Sequence, residues 1–396
     1  MDSPAPRKRR RWILEAALQA EKVYDAFHRF LARITGRLGK PMAAEIYYAI
    51  RHPEAVSVKG RVLLVRKWRH PHVDDHPLVN FFQILLRWAT PERPYSLVRV
   101  SAGGAPVEKR ADREGYFEID LPDAEVHSAE VYIELPESEV STPSHWEITG
   151  SGVGARCLII SDIDDTVLVT HVAKILRMLA TTFFGNALTR QLFPGTVALY
   201  EALRRGPDAA ADHNNAIAYV TSSPFNLHGL LFLIFKENGL PPGAFLMTDW
   251  GISEGRWLTR SHRDHKLDSI RQVLGWYPGT PVILIGDSSQ HDTSIYIETA
   301  LAHPGAISQI LIRDVSDESR IGLLQSEVAR LENSGTRFSF FKDSAEAAAI
   351  LESEGWISRA QSAEVDRIVH EPPPSLIDIV THRPAGETSN RPNPSP

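Results

Sequence analysis

Three short, unbroken apolar runs stand out in the second half of the chain: Leu158-Ile159-Ile160, Ala216-Ile217-Ala218-Tyr219-Val220 and Val282-Ile283-Leu284-Ile285. Each stops abruptly at polar residues: Ser161-Asp-Ile-Asp-Asp-Thr166, Thr221-Ser-Ser-Pro224 and Gly286-Asp-Ser288. Runs of this length and character read as strands buried on both faces, as in a parallel sheet. Ile307–Ile312 and Phe338–Phe341 read as two further strands. Helical spacing lies between them, at Val197–Leu203, Asn226–Asn238, Lys266 onward, Ile321–Leu331 and Ala345–Leu351. Strands alternating with helices predict a doubly wound α/β unit over residues 152–355.

The first half reads differently. Val56–Val65, Tyr95–Ser101, Tyr116–Leu121 and Ala129–Leu135 are strand-like runs. Turn formers such as Gly103-Gly104 and Glu114-Gly115 separate several of them. Such spacing predicts an antiparallel β-sandwich-like accessory domain over 55–150. Before it, Ala20, Val23, Tyr24, Phe27, Phe30, Leu31 and Ile34 recur at helical spacing, which predicts an amphipathic helical segment within residues 1–50. From 371 to 396 the chain is rich in Pro, Ser, Thr and Asn and is expected to be a disordered tail. The segment 171–193, between the first two apolar strands of the α/β unit, has mixed helical character.

Charge and composition refine this organisation. The 396 residues carry a formal charge of −6, which argues against a coat for nucleic acid. Residues 1–40 go against that sign, with ten Lys/Arg facing four Asp/Glu. Arg7 to Arg11 form a polybasic run. The helix after it packs on the protein, or else lies on an anionic membrane surface. No run of about 18 apolar residues occurs, so no transmembrane span is expected. No signal peptide is expected either, which points to the cytoplasm, with peripheral membrane attachment. Cys157 is the only cysteine, so no intrachain disulfide can form, and its place on an apolar strand predicts a buried thiol. The stretch holding Trp68, His70, His72, Asp74, Asp75 and His76 reads as a polar loop, with metal binding as the other reading.

The polar strand ends hold the candidate chemistry. In open α/β sheets ligands sit at the carboxyl ends of the strands, where Asp162, Asp164, Asp165 and Thr166 would emerge. Carboxylates crowded in a crevice repel one another, and a divalent cation with a taste for hard oxygen ligands offsets that repulsion. Mg²⁺ is the expected cofactor, and Mn²⁺ suits the same oxygens.

The Asp-x-Asp-x-Thr pattern at 162–166 resembles the first motif of the haloacid dehalogenase (HAD) superfamily of phosphohydrolases. The longer string Ser161–Val167 resembles the catalytic domain of the actin-patch-associated phosphatidate phosphatase family. Thr221, with Ser222 beside it, matches the second superfamily motif, Lys266 the third, and Gly286-Asp287 followed by Asp292 the fourth. The resemblance spans about 155 to 351. It implies a HAD-like fold, whose cap between the first two motifs can here be only a small helical one over 171–193 that leaves the crevice open, and an Mg²⁺-dependent phosphomonoester hydrolase working through an aspartyl-phosphate. Asp162 would be the nucleophile and Asp164 the acid and base. Asp162, Asp287 and the backbone carbonyl of Asp164 would hold the metal. Thr221, Ser222 and Lys266 would bind the phosphate, with Asp165, Thr166 and Asp292 in support. Asp164 is preferred to Asp165 only by the family's one-residue spacing. The implied substrate is phosphatidate at a membrane surface. A different phosphomonoester and a non-catalytic lipid-surface binding protein are the other readings.

Overall fold

The computed structural model describes residues 42–64, 93–138, 144–150, 155–163, 166–167, 192–208, 214–248, 262–288, 292–315, 326–332 and 334–371. The helix predicted around 20–34, the stretch 68–76, the cap segment 171–191 and the tail from 372 lie outside these residues. So do Asp164 and Asp165.

Eight strands come first: β1 (Met42–Arg51), β2 (Ala55–Leu64), β3 (Leu97–Ser101), β4 (Val107–Arg110), β5 (Tyr116–Pro122), β6 (Glu130–Glu134), β7 (Ser144–Glu147) and β8 (Thr149–Gly150). They form two four-stranded sheets, β5-β2-β1-β8 and β4-β3-β6-β7, antiparallel apart from the short β1–β8 pairing. Alternate residues point inward, as period-two strands require. Val98, Val100, Val131 and Ile133 of one sheet share a core with Val56, Val58, Phe117, Ile119 and Leu121 of the other.

Strand β1 corrects the sequence reading, which puts residues up to 50 in a helical segment. Met42-Ala-Ala-Glu45 suits a helix by propensity. Instead the stretch pairs residue by residue with Arg61–Leu64 of β2 and leads into the buried run Ile46–Ile50, and ladder pairing with burial outweighs so small a preference.

The second part alternates strands and helices. Its elements are β9 (Leu158–Asp162), α1 (Thr196–Arg205), β10 (Ala216–Pro224), α2 (His228–Glu237), β11 (Ala244–Thr248), α3 (His262–Trp276), β12 (Val282–Asp287), α4 (Asp292–Ala302), β13 (Ile307–Arg313), β14 (Arg337–Phe341), α5 (Ser344–Ser353) and α6 (Arg359–His370). The strands form one parallel sheet in the order β11-β10-β9-β12-β13-β14. The chain grows outward from β9 to β11. It then returns to the other side of β9 and continues through β12 to β14. The direction reverses between β9 and β12, which makes the carboxyl ends of those two strands the switch point where such sheets bind ligands.

α6 lies beyond the expected boundary at 355. Ser358 and Gln361 form a capping box at its start, and the helix packs on α5 and α1. A Cβ on Gly195 would come within 2.6 Å of Val369, so the turn into α1 is fitted against this last helix.

A bulge in β1 joins the two parts. The register with β2 slips between Ile46 and Tyr48. The extra residue changes which face later side chains occupy. Ile46 and Ala49 therefore enter the β core, whereas Tyr47, Tyr48 and Ile50 enter the α/β core. Tyr47 stacks on Phe225 with ring centroids 4.4 Å apart. Tyr48 meets the edge of Trp276 and donates to Glu118. The Tyr277 hydroxyl donates to the Arg51 carbonyl, and buried His228 pairs with Glu45.

Candidate active site

The apolar runs of β9 and β12 end at Asp162 and Asp287 because each strand stops being apolar where it leaves the sheet. Asp292 follows on the first turn of α4, and Lys266 reaches the same place from α3. Oxygens of Asp162, Asp287 and Asp292 lie within 4.8 Å of one another. The Lys266 ammonium donates to Asp162 Oδ1 at 2.7 Å and to Asp292 Oδ1 at 2.5 Å. None of the four side chains is more than 4% exposed.

Close packing sustains this crowding. A Cβ on Gly286 would come within 2.8 Å of Asp292 Oδ2 and of the Tyr296 ring, so only glycine lets the first turn of α4 press against the end of β12. Gly286 lies inside β12, where its missing side chain answers this close approach. Tyr296 donates to the Ile285 carbonyl at 3.0 Å and ties α4 to the same strand. Under β9, Ser161 Oγ donates to the Asp162 carbonyl at 2.7 Å and lies 2.5 Å from the Tyr200 hydroxyl of α1.

Burial by itself would push the Lys266 amine down. The charges of Asp162 and Asp292, and their hydrogen bonds, outweigh that effect and hold Lys266 well above the ordinary lysine value. Burial and the neighbouring carboxylates raise the Tyr296 phenol in the same region. Cys157, at the start of β9, is buried, and its thiol is pushed up to about 12, which marks it as core rather than chemistry.

The donor set fits a hard divalent cation. Three carboxylates against one ammonium leave a formal excess of two negative charges in a buried place. Asp292 Oδ2 is buried with no hydrogen-bond partner among the described residues. Oxygen-only ligands with a net charge of this sign suit Mg²⁺ or Mn²⁺.

Of the other predicted residues, strand register brings Thr221 to this centre. Thr221, fully buried near the end of β10, accepts from Ser223 N at 3.0 Å. Val220 is the register partner of Asp162, so Thr221 emerges beside it. The buried hydroxyls of Thr166 and Ser222 have no hydrogen-bond partner among the described residues. Asp292 is expected only in support; the structure makes it the third carboxylate of the cluster. Arg313, at the end of β13, is absent from the sequence reading. It is the register partner of Asp287, only 4% exposed, with its guanidinium 3.6 Å from the Phe193 ring centroid. Burial lowers its pKa from the ordinary arginine value, opposed by Tyr200, Asp343 and Asp287. A signal exists in the sequence, since Ile310-Leu-Ile-Arg313 is another apolar run that ends on a polar residue.

Residues 157–314 match the family model described as phosphatidate phosphatase APP1, catalytic domain. The chain is 30% identical over 159 residues to phosphatidate phosphatase APP1 of Saccharomyces cerevisiae, a stretch covering 40% of this chain and 26% of that protein. It is 26% identical over 174 residues to the uncharacterized protein C29B5.04c of Schizosaccharomyces pombe, covering 43% of this chain and 27% of that one. The chain thus spans about a quarter of the length of the curated relatives it matches. Among solved structures, XAC1771, a carbohydrate acetylesterase from Xanthomonas citri, aligns over 83% of this chain and 74% of its own at 10% identity and a TM-score of 0.28, too loose a likeness for a common fold or activity to follow. Asp162, Thr221, Lys266, Asp287 and Asp292 all fall inside the matched segment, and through that segment the chain resembles the catalytic domain of the phosphatidate phosphatase APP1 family.

Proposed function

We propose that this chain is a HAD-like phosphomonoester hydrolase acting on phosphatidate, with diacylglycerol and inorganic phosphate as products. The observation that carries the reading is the buried group of three carboxylates and one lysine at the switch point of a parallel sheet. Unscreened carboxylates held this close are unfavourable for folding, and a polar cluster with that cost is a mark of chemistry rather than of packing. The lipid substrate draws its support from the matched catalytic domain and the named yeast relative. The basic residues 1–40 suit attachment to an anionic membrane surface. No helix among the described residues is long and apolar enough to cross a membrane.

In the mechanism, an oxygen of Asp162 attacks phosphorus in line and the bond to the leaving oxygen breaks, which leaves an aspartyl-phosphate. Asp164 gives its proton to the leaving oxygen. It then takes a proton from water, which attacks phosphorus, releases inorganic phosphate and restores the Asp162 carboxylate. Lys266 holds the Asp162 oxygen ionised and in place through its 2.7 Å bond, with Asp292 anchoring the ammonium from the other side. Thr221 and Ser222 offer hydroxyls to the phosphoryl oxygens, with Asp165 and Thr166 in support. Asp162, Asp287 and the Asp164 carbonyl would hold Mg²⁺, with Asp292 beside them. When bound, the ion neutralises charge that gathers on the transferring group.

The test is phosphate release from phosphatidate in mixed micelles, with Mg²⁺ or EDTA, for the parent and for Asp162→Asn. That substitution keeps the volume and removes the nucleophile. Release that needs the metal and disappears in the variant is expected. Metal-dependent release from an aryl phosphate but none from phosphatidate would sink the lipid assignment and keep the chemistry. Silence on both substrates would sink the hydrolase and favour a lipid-surface binding protein.

A further inference from the structure

Each of three adjacent strands ends in a charged side chain: β9 in Asp162, β12 in Asp287 and β13 in Arg313. Asp287 and Arg313 are register partners in a parallel ladder. Their Cα atoms are therefore about 4.8 Å apart, and their side chains leave the same face of the sheet. The backbone beyond them is tied together, because Ser288 N donates to the Arg313 carbonyl and Val315 N donates to Ser288 Oγ.

Lys266 is engaged by two carboxylates. Arg313 makes no ion pair and no side-chain hydrogen bond among the described residues, and its Nε is buried with no partner. Its contacts are aromatic: the Phe193 ring centroid at 3.6 Å and that of Phe341 at 5.4 Å. Aromatic contacts take the faces of a guanidinium and leave its edge, where the N–H donors lie in one plane. The nearby Asp343 makes no ion pair with that edge; its Oδ1 caps α5 by accepting from Ala345 N and Glu346 N. The amino ends of α1 and α5 meet close by, with Thr196 Oγ1 3.5 Å from Ser344 Oγ. Helix amino ends carry partial positive charge, which disfavours a lone buried cation and favours an anion beside it. A buried guanidinium whose donors make no ion pair or hydrogen bond is costly unless a ligand completes it.

We infer that Arg313 binds the phosphoryl group of the substrate, with the guanidinium edge taking two of its oxygens. This rests on the phosphomonoesterase reading and deepens it. Lys266 steadies the carboxylates, and Arg313 takes the incoming dianion. A planar fork suits two oxygens of a tetrahedral phosphoryl group better than a point charge does.

Inorganic phosphate, titrated calorimetrically into the full chain at constant Mg²⁺, is the probe. Arg313→Gln and Arg313→Lys are compared with the parent, together with KM and kcat on an aryl phosphate and on a short-chain, water-soluble phosphatidate. The glutamine variant should weaken phosphate binding and raise both KM values by about tenfold or more, the scale of charged hydrogen bonds. The change in kcat should be smaller and the melting temperature unchanged or higher, since an uncompensated buried charge has gone. The lysine variant should lose less affinity. Unchanged phosphate affinity in Arg313→Gln overturns the inference. So does a loss that tracks a falling melting temperature in both variants, which marks a structural role. A KM rise confined to phosphatidate also overturns it, because the contact is then with the lipid portion. Arg313-dependent phosphate binding in a parent that hydrolyses neither ester would uphold the anion site and remove the hydrolase. Hydrolysis with unaltered constants in Arg313→Gln would do the reverse.

Discussion

Lys266 sits between two carboxylates where almost no water screens it. A methionine there would fill similar volume and take from Asp162 and Asp292 the ammonium they share. Breaking a buried pair in this way costs about 3–5 kcal/mol. Lys266→Met should therefore unfold at lower urea concentration in EDTA, and added Mg²⁺ should recover part of the deficit. Equal stability with and without Mg²⁺ in that variant would argue against the carboxylates as a cation site. Gly286 belongs to the same scale, since its missing side chain makes room for Asp292 and Tyr296.

Among the elements, β1 has the most to do. It pairs with β2 and β8 in the first part, and its bulge sends Tyr47 and Tyr48 into the second. Tyr47 is 1% exposed and packs against Tyr116, Phe225 and His228. Truncating a buried aromatic costs about 3–5 kcal/mol, because transfer free energy is lost and a cavity is left. Tyr47→Ala should lower the unfolding midpoint accordingly, and intrinsic fluorescence should follow both parts melting together. Two separate transitions would show that the junction is not what couples them. The bulge was not legible in the sequence. Two adjacent tyrosines carry no sign of which will be the extra residue, and only pairing with a distant strand decides it.

For the whole molecule, the basic residues 1–40 precede β1 in the chain, which begins at Met42. Deleting residues 1–41 leaves β1 intact, whereas deleting 1–51 removes it. The shorter deletion should keep the melting temperature and the turnover of a soluble phosphoester, and lose binding to anionic vesicles. The longer one should unfold the chain. Vesicle binding that survives the shorter deletion would place the membrane contact on the folded parts.

The sequence by itself determined the local pattern. β9, β10, β12 and β13 could be read from apolar runs, because a strand buried on both faces is written in consecutive residues. Asp162 and Asp287 could be placed at strand ends for the same reason, and Lys266 on the helix before β12. Strand β1, with its helix-favouring start, could not, and α6 is not among the predicted elements. Tertiary structure alone decided the sheet order, and with it which strand ends become neighbours. Asp292 joins the carboxylates because Gly286 lets α4 close on β12. Arg313 reaches the same edge because β13 pairs with β12 in a register that aligns it with Asp287. Neither relation is local: pairing and close packing join residues whose separation in the chain says nothing of their distance in space.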